Sequence, residues 1–252
     1  MYRFFEILPG LLTWLTLILM VVLSWLLPVE VAVFIIIFDI YWFLKTVYLF
    51  LHLRISLKKM RVNLKTDWPG KMRNLRWENI YHLIILPMYQ EPYEVVRDGL
   101  ESVLNNRYPK DKFIIVLATE EKAGAGATET AERIKEEYKN KFFRFLVTCH
   151  PSDLPKEISG KGSNETWAIK EAKKNIIDPL SFNYEDILVS VFDADTQVGL
   201  DYFNCLTYNF LTCEKPQRSS FQPIPFYTNN IYQAPALARI LSFSSTFWHM
   251  MQ

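Results

Sequence analysis

The sequence predicts an α/β protein, a mostly parallel sheet flanked by helices and preceded by two membrane-length apolar helices. Three observations predict it. From His82 onward, short apolar runs alternate with amphipathic stretches, the pattern of strands joined by crossover helices. The strand candidates are apolar almost throughout, as strands covered on both faces are. Ahead of them lie two long apolar runs, the first without a charge from residue 7 to 27.

The elements follow in order. Ile7 to Leu27 is long enough, at about 1.5 Å per residue, to cross a bilayer core of about 30 Å. It is too long for the apolar core of a signal peptide, lacks a small-residue cleavage site, and is followed at once by a second run. Pro28 and Glu30 break it. Val31 to Leu53 is the second run, so residues 1–56 are expected to form a transmembrane hairpin. Asp39 is costly at bilayer depth and has two readings, a polar contact with further membrane helices or a tilted, shallow span. Lys45 reaches an interface by snorkelling. Arg54, Lys58, Lys59, Arg61, Lys65, Lys71, Arg73 and Arg76 then follow, with Asp67 and Glu78 the nearest acids. A Lys/Arg excess marks the cytoplasmic side, which puts the chain's soluble part in the cytoplasm of an integral membrane protein, at a plasma or inner membrane. Residues 57–79 read as a basic linker whose charge serves topology or contacts anionic lipid.

In the remainder, 80–252, His82 to Pro87 reads as a strand, Glu94 to Leu104 as a helix, Phe113 to Leu117 as a strand and Thr128 to Lys139 as a helix. Phe143 to Thr148 is a strand, Ser163 to Asn175 a polar helix, Asp186 to Phe192 a strand and Leu200 to Leu211 a helix. Phe221 to Phe226 reads as extended and Ala236 to Met251 as helical. The formal net charge of +1 gives no support for a nucleic-acid partner. Three scattered cysteines speak for free thiols rather than a disulfide framework.

Four groups at or after strand ends carry candidate chemistry. Asp193 and Asp195 close an apolar strand, and two acids there call for a partner; a hard divalent ion that also takes phosphate oxygens is the natural one. Lys161, between Gly160 and Gly162 at a helix start, offers a point charge and open backbone to phosphate. Pro87, Tyr89 and Glu91 follow the first strand, and Glu120 ends the second; the carboxylates there would accept hydrogen bonds from a base or ribose. Each group has a bland alternative, since Asp-x-Asp is common in turns and Gly-Lys-Gly in loops. The Walker pattern and Gly-x-Gly-x-x-Gly are both absent, which argues against a P-loop NTPase and a dinucleotide-binding dehydrogenase.

The ordered set, Leu83 to Pro92, then Gly160 to Asn164, then Phe192 to Asp195, resembles the family-two glycosyltransferases of the GT-A fold. Two membrane runs ahead of such a domain are similar to the synthases of the cellulose and hyaluronan type. The resemblance implies a GT-A-type sheet over about residues 80–225 and a nucleotide-sugar donor, expected to be a UDP-sugar. It implies an inverting transfer to a glycan or lipid-linked acceptor. It also implies Mg²⁺ or Mn²⁺ held at Asp193 and Asp195, with Pro87, Tyr89, Glu91, Glu120, Lys161 and Asp193 around the donor. Leu117 to Glu121 stands where relatives carry an Asp-rich turn, leaving Glu120 as the substitute. No catalytic base is assigned: Glu214 follows the acidic couplet too closely, and the Gln-x-x-Arg-Trp segment of processive synthases is missing. The chain is therefore expected to be the N-terminal portion of a longer enzyme. The alternative is a non-catalytic membrane protein with a degenerate nucleotide-sugar-binding domain.

Overall fold

The structure, a computed structural model, describes residues 2–155, 157–158, 160–228, 231–232 and 234–251. The chain divides into two units, Met1–Leu64 with Ile224–Gln252, and Lys65–Pro223.

The first unit holds the apolar helices α1 (Tyr2–Leu26) and α2 (Pro28–Lys65), together with α8 (Ala236–Met251). Both α1 and α2 are long and apolar enough to cross a membrane, and their apolar side chains are exposed, which suggests membrane association. Their hydroxyls turn inward: Thr13 donates to Pro9 O at 2.9 Å, Thr16 to Leu12 O at 2.8 Å, Ser24 to Met20 O at 2.6 Å and Thr46 to Trp42 O at 2.8 Å. In hydrocarbon no water would satisfy them, so bonding to the preceding turn is the economical solution.

The link between α1 and α2 is a single residue. Only Leu27 lies outside a helix, its N–H donates to Leu23 O at 2.8 Å, and Val31 N–H donates to Leu27 O at 3.1 Å. Pro28, Val29 and Glu30, read from the sequence as the break between the two apolar runs, form the first turn of α2. Proline is suited to that position, because its missing N–H and fixed φ cost nothing in a first turn. Residues 57–65, expected as linker, are the last turns of α2. No glycine or proline interrupts Val29 to Lys65, and Leu, Lys, Arg and Met sustain helix.

The second unit is a three-layer α/β structure. After the short α3 (Trp68–Met72) come β1 (Tyr81–Pro87), α4 (Tyr93–Leu104), β2 (Phe113–Glu120), α5 (Ala125–Tyr138), β3 (Arg144–His150), α6 (Lys161–Ala172), β4 (Ile187–Val191) and α7 (Tyr202–Thr212). The four strands form one sheet in the order β3-β2-β1-β4, every pair parallel. Strand periodicity sorts the central side chains onto two faces. Ile84, Leu86, Phe113, Ile115 and Leu117 join α4, α5 and Phe203 in one core, while Leu83, Ile85, Ile114, Val116 and Ala118 pack on Ala168 and Ala172 of α6 in the other. Phe221 to Phe226, read as extended from the sequence, forms no strand. β4 is an edge strand among the described residues; Val189 and Val191 are exposed, and a groove of about 520 Å³ runs between this edge, α7 and Ser219 to Pro223.

His82 is the one imidazole in the first core. It is fully buried against Tyr108, Phe113 and Phe203, its Nε2 lies 2.9 Å from Thr207 Oγ1, and its Nδ1 has no partner. Burial lowers its pKa from 6.5 to about 3, so the folded chain keeps it neutral. The unfolded chain binds a proton below pH 6.5 and the folded one does not. Stability present above pH 6.5 is therefore lost as the pH falls toward about 3, with a slope approaching about 1.4 kcal/mol per pH unit. Urea unfolding in neutral detergent between pH 7.5 and 4 should show this slope, and His82→Phe, which keeps an aromatic ring in the core, should lose most of it.

Candidate functional site

The strand order fixes where a site forms. The chain builds β1, β2 and β3 outward in one direction, then returns to lay β4 on the other side of β1. The carboxyl ends of β1 and β4 thus lie side by side, at the end of the sheet where α/β proteins bind ligands. Pairing runs past the regular strands at this end: Phe192 N–H donates to Ile85 O at 3.0 Å, and Met88 N–H to Ala118 O at 2.8 Å. Pro87 to Glu91, Glu120 and Asp193 therefore all leave from the same edge of the sheet.

A helix terminus joins them. Asn164, in the first turn of α6, is buried and donates from Nδ2 to Ala118 O at 2.9 Å, tying that turn to the end of β2. Ser163 Oγ accepts from Gly160 N–H at 3.0 Å and donates to Gly160 O at 2.6 Å, closing the entry to the helix. A side chain added at Gly160 or Gly162 would meet open space, so the backbone here is approachable. Lys161, the first helical residue, forms an ion pair from Nζ to Asp193 Oδ1. Both side chains are more than half exposed, so the pair positions charge and contributes little to stability. The Asp193 carboxylate holds the Lys161 ammonium above the usual lysine value.

The acidic couplet sits on a turn that α4 cradles. Phe192 and Ala194 are buried while Asp193 and Asp195 are exposed, so both carboxylates stand on the solvent side of the turn. Thr196 N–H donates to Asp193 O at 2.9 Å, closing the turn. Gly99 of α4 lies directly beneath: a Cβ there would stand 2.9 Å from Ala194 O and 3.3 Å from Thr196 O. Further along, Ser102 Oγ accepts from Val198 N–H at 3.0 Å, Asn106 Nδ2 donates to Gly199 O at 2.7 Å, and Arg107 pairs with Asp201 at 2.9 Å. Sequence reasoning missed this cradle. Its legible signal was Gly99 itself, a helix-interior glycine between the buried Val96 and Leu100 that costs stability unless a neighbouring backbone must come close.

The remaining predicted residues divide by what they touch. Pro87 is buried at the end of β1 and shapes the loop that follows. Tyr89 is about half exposed, and its N–H donates to Glu91 Oε2 at 2.6 Å, so one oxygen of Glu91 is engaged within its own loop. Glu120 is the last residue of β2, half-buried, with no side-chain hydrogen bond or ion pair among the described residues. Its neighbour Glu121 accepts from Ser152 N–H at 2.8 Å, which holds the Glu121 carboxyl below the usual carboxylate range and pins the exit from β3. The structure thus brings Lys161 and Asp193 into contact and sets Tyr89, Glu91 and Glu120 along the same sheet edge, without a bond from these three to the couplet.

Among the described residues no three His, Cys, Asp or Glu side chains converge as a metal cage. Two carboxylates suit only an ion that brings phosphate oxygens and water as its other ligands. No family model matches the chain, and neither a curated protein nor a solved structure does.

The cradle and the ion pair should respond differently to substitution. Gly99→Val forces a branched side chain against the Ala194 carbonyl and should cost about 1–3 kcal/mol of unfolding free energy. Asp193→Asn, which breaks an exposed pair, should cost less than about 1 kcal/mol in the same denaturation assay.

Proposed function

We propose that this chain carries the nucleotide-sugar-binding part of a membrane-associated glycosyltransferase of GT-A type. The observation that supports this reading is the meeting of Lys161 and Asp193 beyond the carboxyl end of the parallel sheet, where an α/β sheet binds ligands. A nucleoside-diphosphate sugar has the complementary chemistry. Its phosphates would accept from the Lys161 ammonium and from the first-turn N–H groups of α6, whose glycines leave the backbone open. Tyr89, Glu91 and Glu120 lie along the edge where the ribose and base would extend; the half-buried Glu120 carboxylate would accept from a base N–H or a ribose hydroxyl.

Asp193 and Asp195 would hold Mg²⁺ or Mn²⁺ together with the two phosphates. When bound, that ion offsets the charge gathering on the departing diphosphate. Lys161 has two roles in this scheme. Without donor it neutralises Asp193; with donor its ammonium turns to phosphate and releases the carboxylate. The acceptor in this reading is a glycan or lipid-linked hydroxyl, and none of the described carboxylates is assigned as its general base.

One observation favours a second reading. Lys161 already satisfies Asp193, and no third ligand group stands with the couplet among the described residues. A non-catalytic membrane protein keeping a degenerate nucleotide-sugar-binding domain would look like this. Calorimetry separates the two. Nucleoside diphosphate should bind in the presence of Mg²⁺ or Mn²⁺ and bind at least tenfold more weakly without it, and Asp195→Asn should remove the cation dependence while the chain stays folded. Equal binding by both forms, with or without the ion, would end the assignment and leave the second reading.

A further inference from the structure

We infer that the cytoplasm-proximal turns of α2 form a binding surface for anionic phospholipid headgroups. The inference rests on reading α1 and α2 as membrane spans and stands apart from the donor site. α2 has 38 residues, which at about 1.5 Å per residue makes it about 57 Å long, well beyond a bilayer core of about 30 Å. Its apolar stretch ends at Leu53, yet the helix continues without a break, so the residues that follow are held on a rigid scaffold at the level of the headgroups.

Arg54, Lys58 and Arg61 are spaced four and three residues apart. At 3.6 residues per turn they fall within about 60° of one another and form a cationic stripe, with Lys59 about 100° round the helix from Lys58. All four are exposed, and among the described residues none is engaged in an ion pair. No acid occurs between Asp39 and Asp67 to neutralise them. The apolar Ile55 and Val62 stand along one shoulder of the stripe and are themselves exposed, at 53% and 57%. Cations flanked by apolar side chains at the end of a membrane-length helix match an interface where acyl chains meet phosphate. A charge that served topology alone needs neither a common helical face nor an apolar shoulder.

The test uses the whole chain in neutral maltoside detergent, doped with phosphatidylglycerol or with phosphatidylcholine, and counts retained lipid by native mass spectrometry. Retention of phosphatidylglycerol should exceed that of phosphatidylcholine about tenfold at low salt and fall steeply by about 0.5 M salt. Replacing Arg54, Lys58, Lys59 and Arg61 together by Gln should bring the two lipids within about twofold, and Arg54→Lys with Arg61→Lys should keep the preference. Equal retention of both lipids, or a preference that survives the Gln variant, would overturn the inference. So would displacement of the lipid by a short oligonucleotide at lower concentration than by phosphatidylglycerol, which would make the stripe a nucleic-acid contact. Incorporation into neutral phosphatidylcholine vesicles is measured in parallel, so that loss of the membrane reading is distinguished from loss of the lipid preference.

Discussion

The structure depends on β1 pairing in parallel with two partners at once. Its backbone bonds to β2 along one side and to β4 along the other, in the registers Ile84↔Ile115 and Ile84↔Ser190. A strand enclosed this way has both faces and both edges buried, which favours apolar side chains along its length; Leu83 to Leu86 supply them, and His82 is the polar exception, paired at Nε2 with Thr207. That enclosure brings two segments separated by about a hundred residues, the loop after Pro87 and the turn after Val191, to one end of the sheet. Every candidate residue of the site inherits its position from this pairing.

The chemistry at that end is shaped by what the turn can afford to bury. Phe192 and Ala194 anchor it in the core, and the close approach of Gly99 removes the space for any adjustment. The carboxylates between the anchors are forced outward, where water screens their mutual repulsion and Lys161 offsets one of them. Rigidity comes from the buried members of the turn, and the exposed members face solvent. The proposed donor site, which would hold phosphate in one state and stand empty in another, calls for this separation of roles.

Much of the fold was legible because its signals are local. Ile114 to Leu117, Leu83 to Leu86 and the periodic Val96, Leu100 and Val103 announce strand or helix within a few residues, and the helix start at Gly160 to Gly162 needed only glycines and a serine. Legibility fell where the outcome depends on distant partners. β2 runs on through Thr119 and Glu120 because β3 pairs with them, Thr119 opposite Cys149 and Glu120 opposite His150, and nothing inside Leu117 to Glu121 encodes that. β4 looked doubly covered from its apolar run, yet Val189 and Val191 face outward because the sheet ends there. The place of Pro28 was illegible for a related reason: proline breaks a helix from inside but begins one readily, and the sequence does not say which side of it the helix occupies. Of the site, the charged residues were readable by type and order. The α4 cradle was not, since Ser102, Asn106 and Arg107 act on a loop a hundred residues away.

The Lys161–Asp193 pair is where fold and proposed chemistry meet most closely, and it bears on why the couplet tolerates two acids on one turn. Two carboxylates one residue apart repel. A countercharge on a different element relieves the repulsion. The countercharge is a lysine, a flexible point charge that can swing between partners, where arginine's planar fork would lock onto the carboxylate through two bonds. The exposure of both members keeps the pair weak enough to open. A weak, exposed, exchangeable pair spanning a sheet end and a helix start is poor as a structural clamp, and that weakness is what makes it suited to hold an anion in turn.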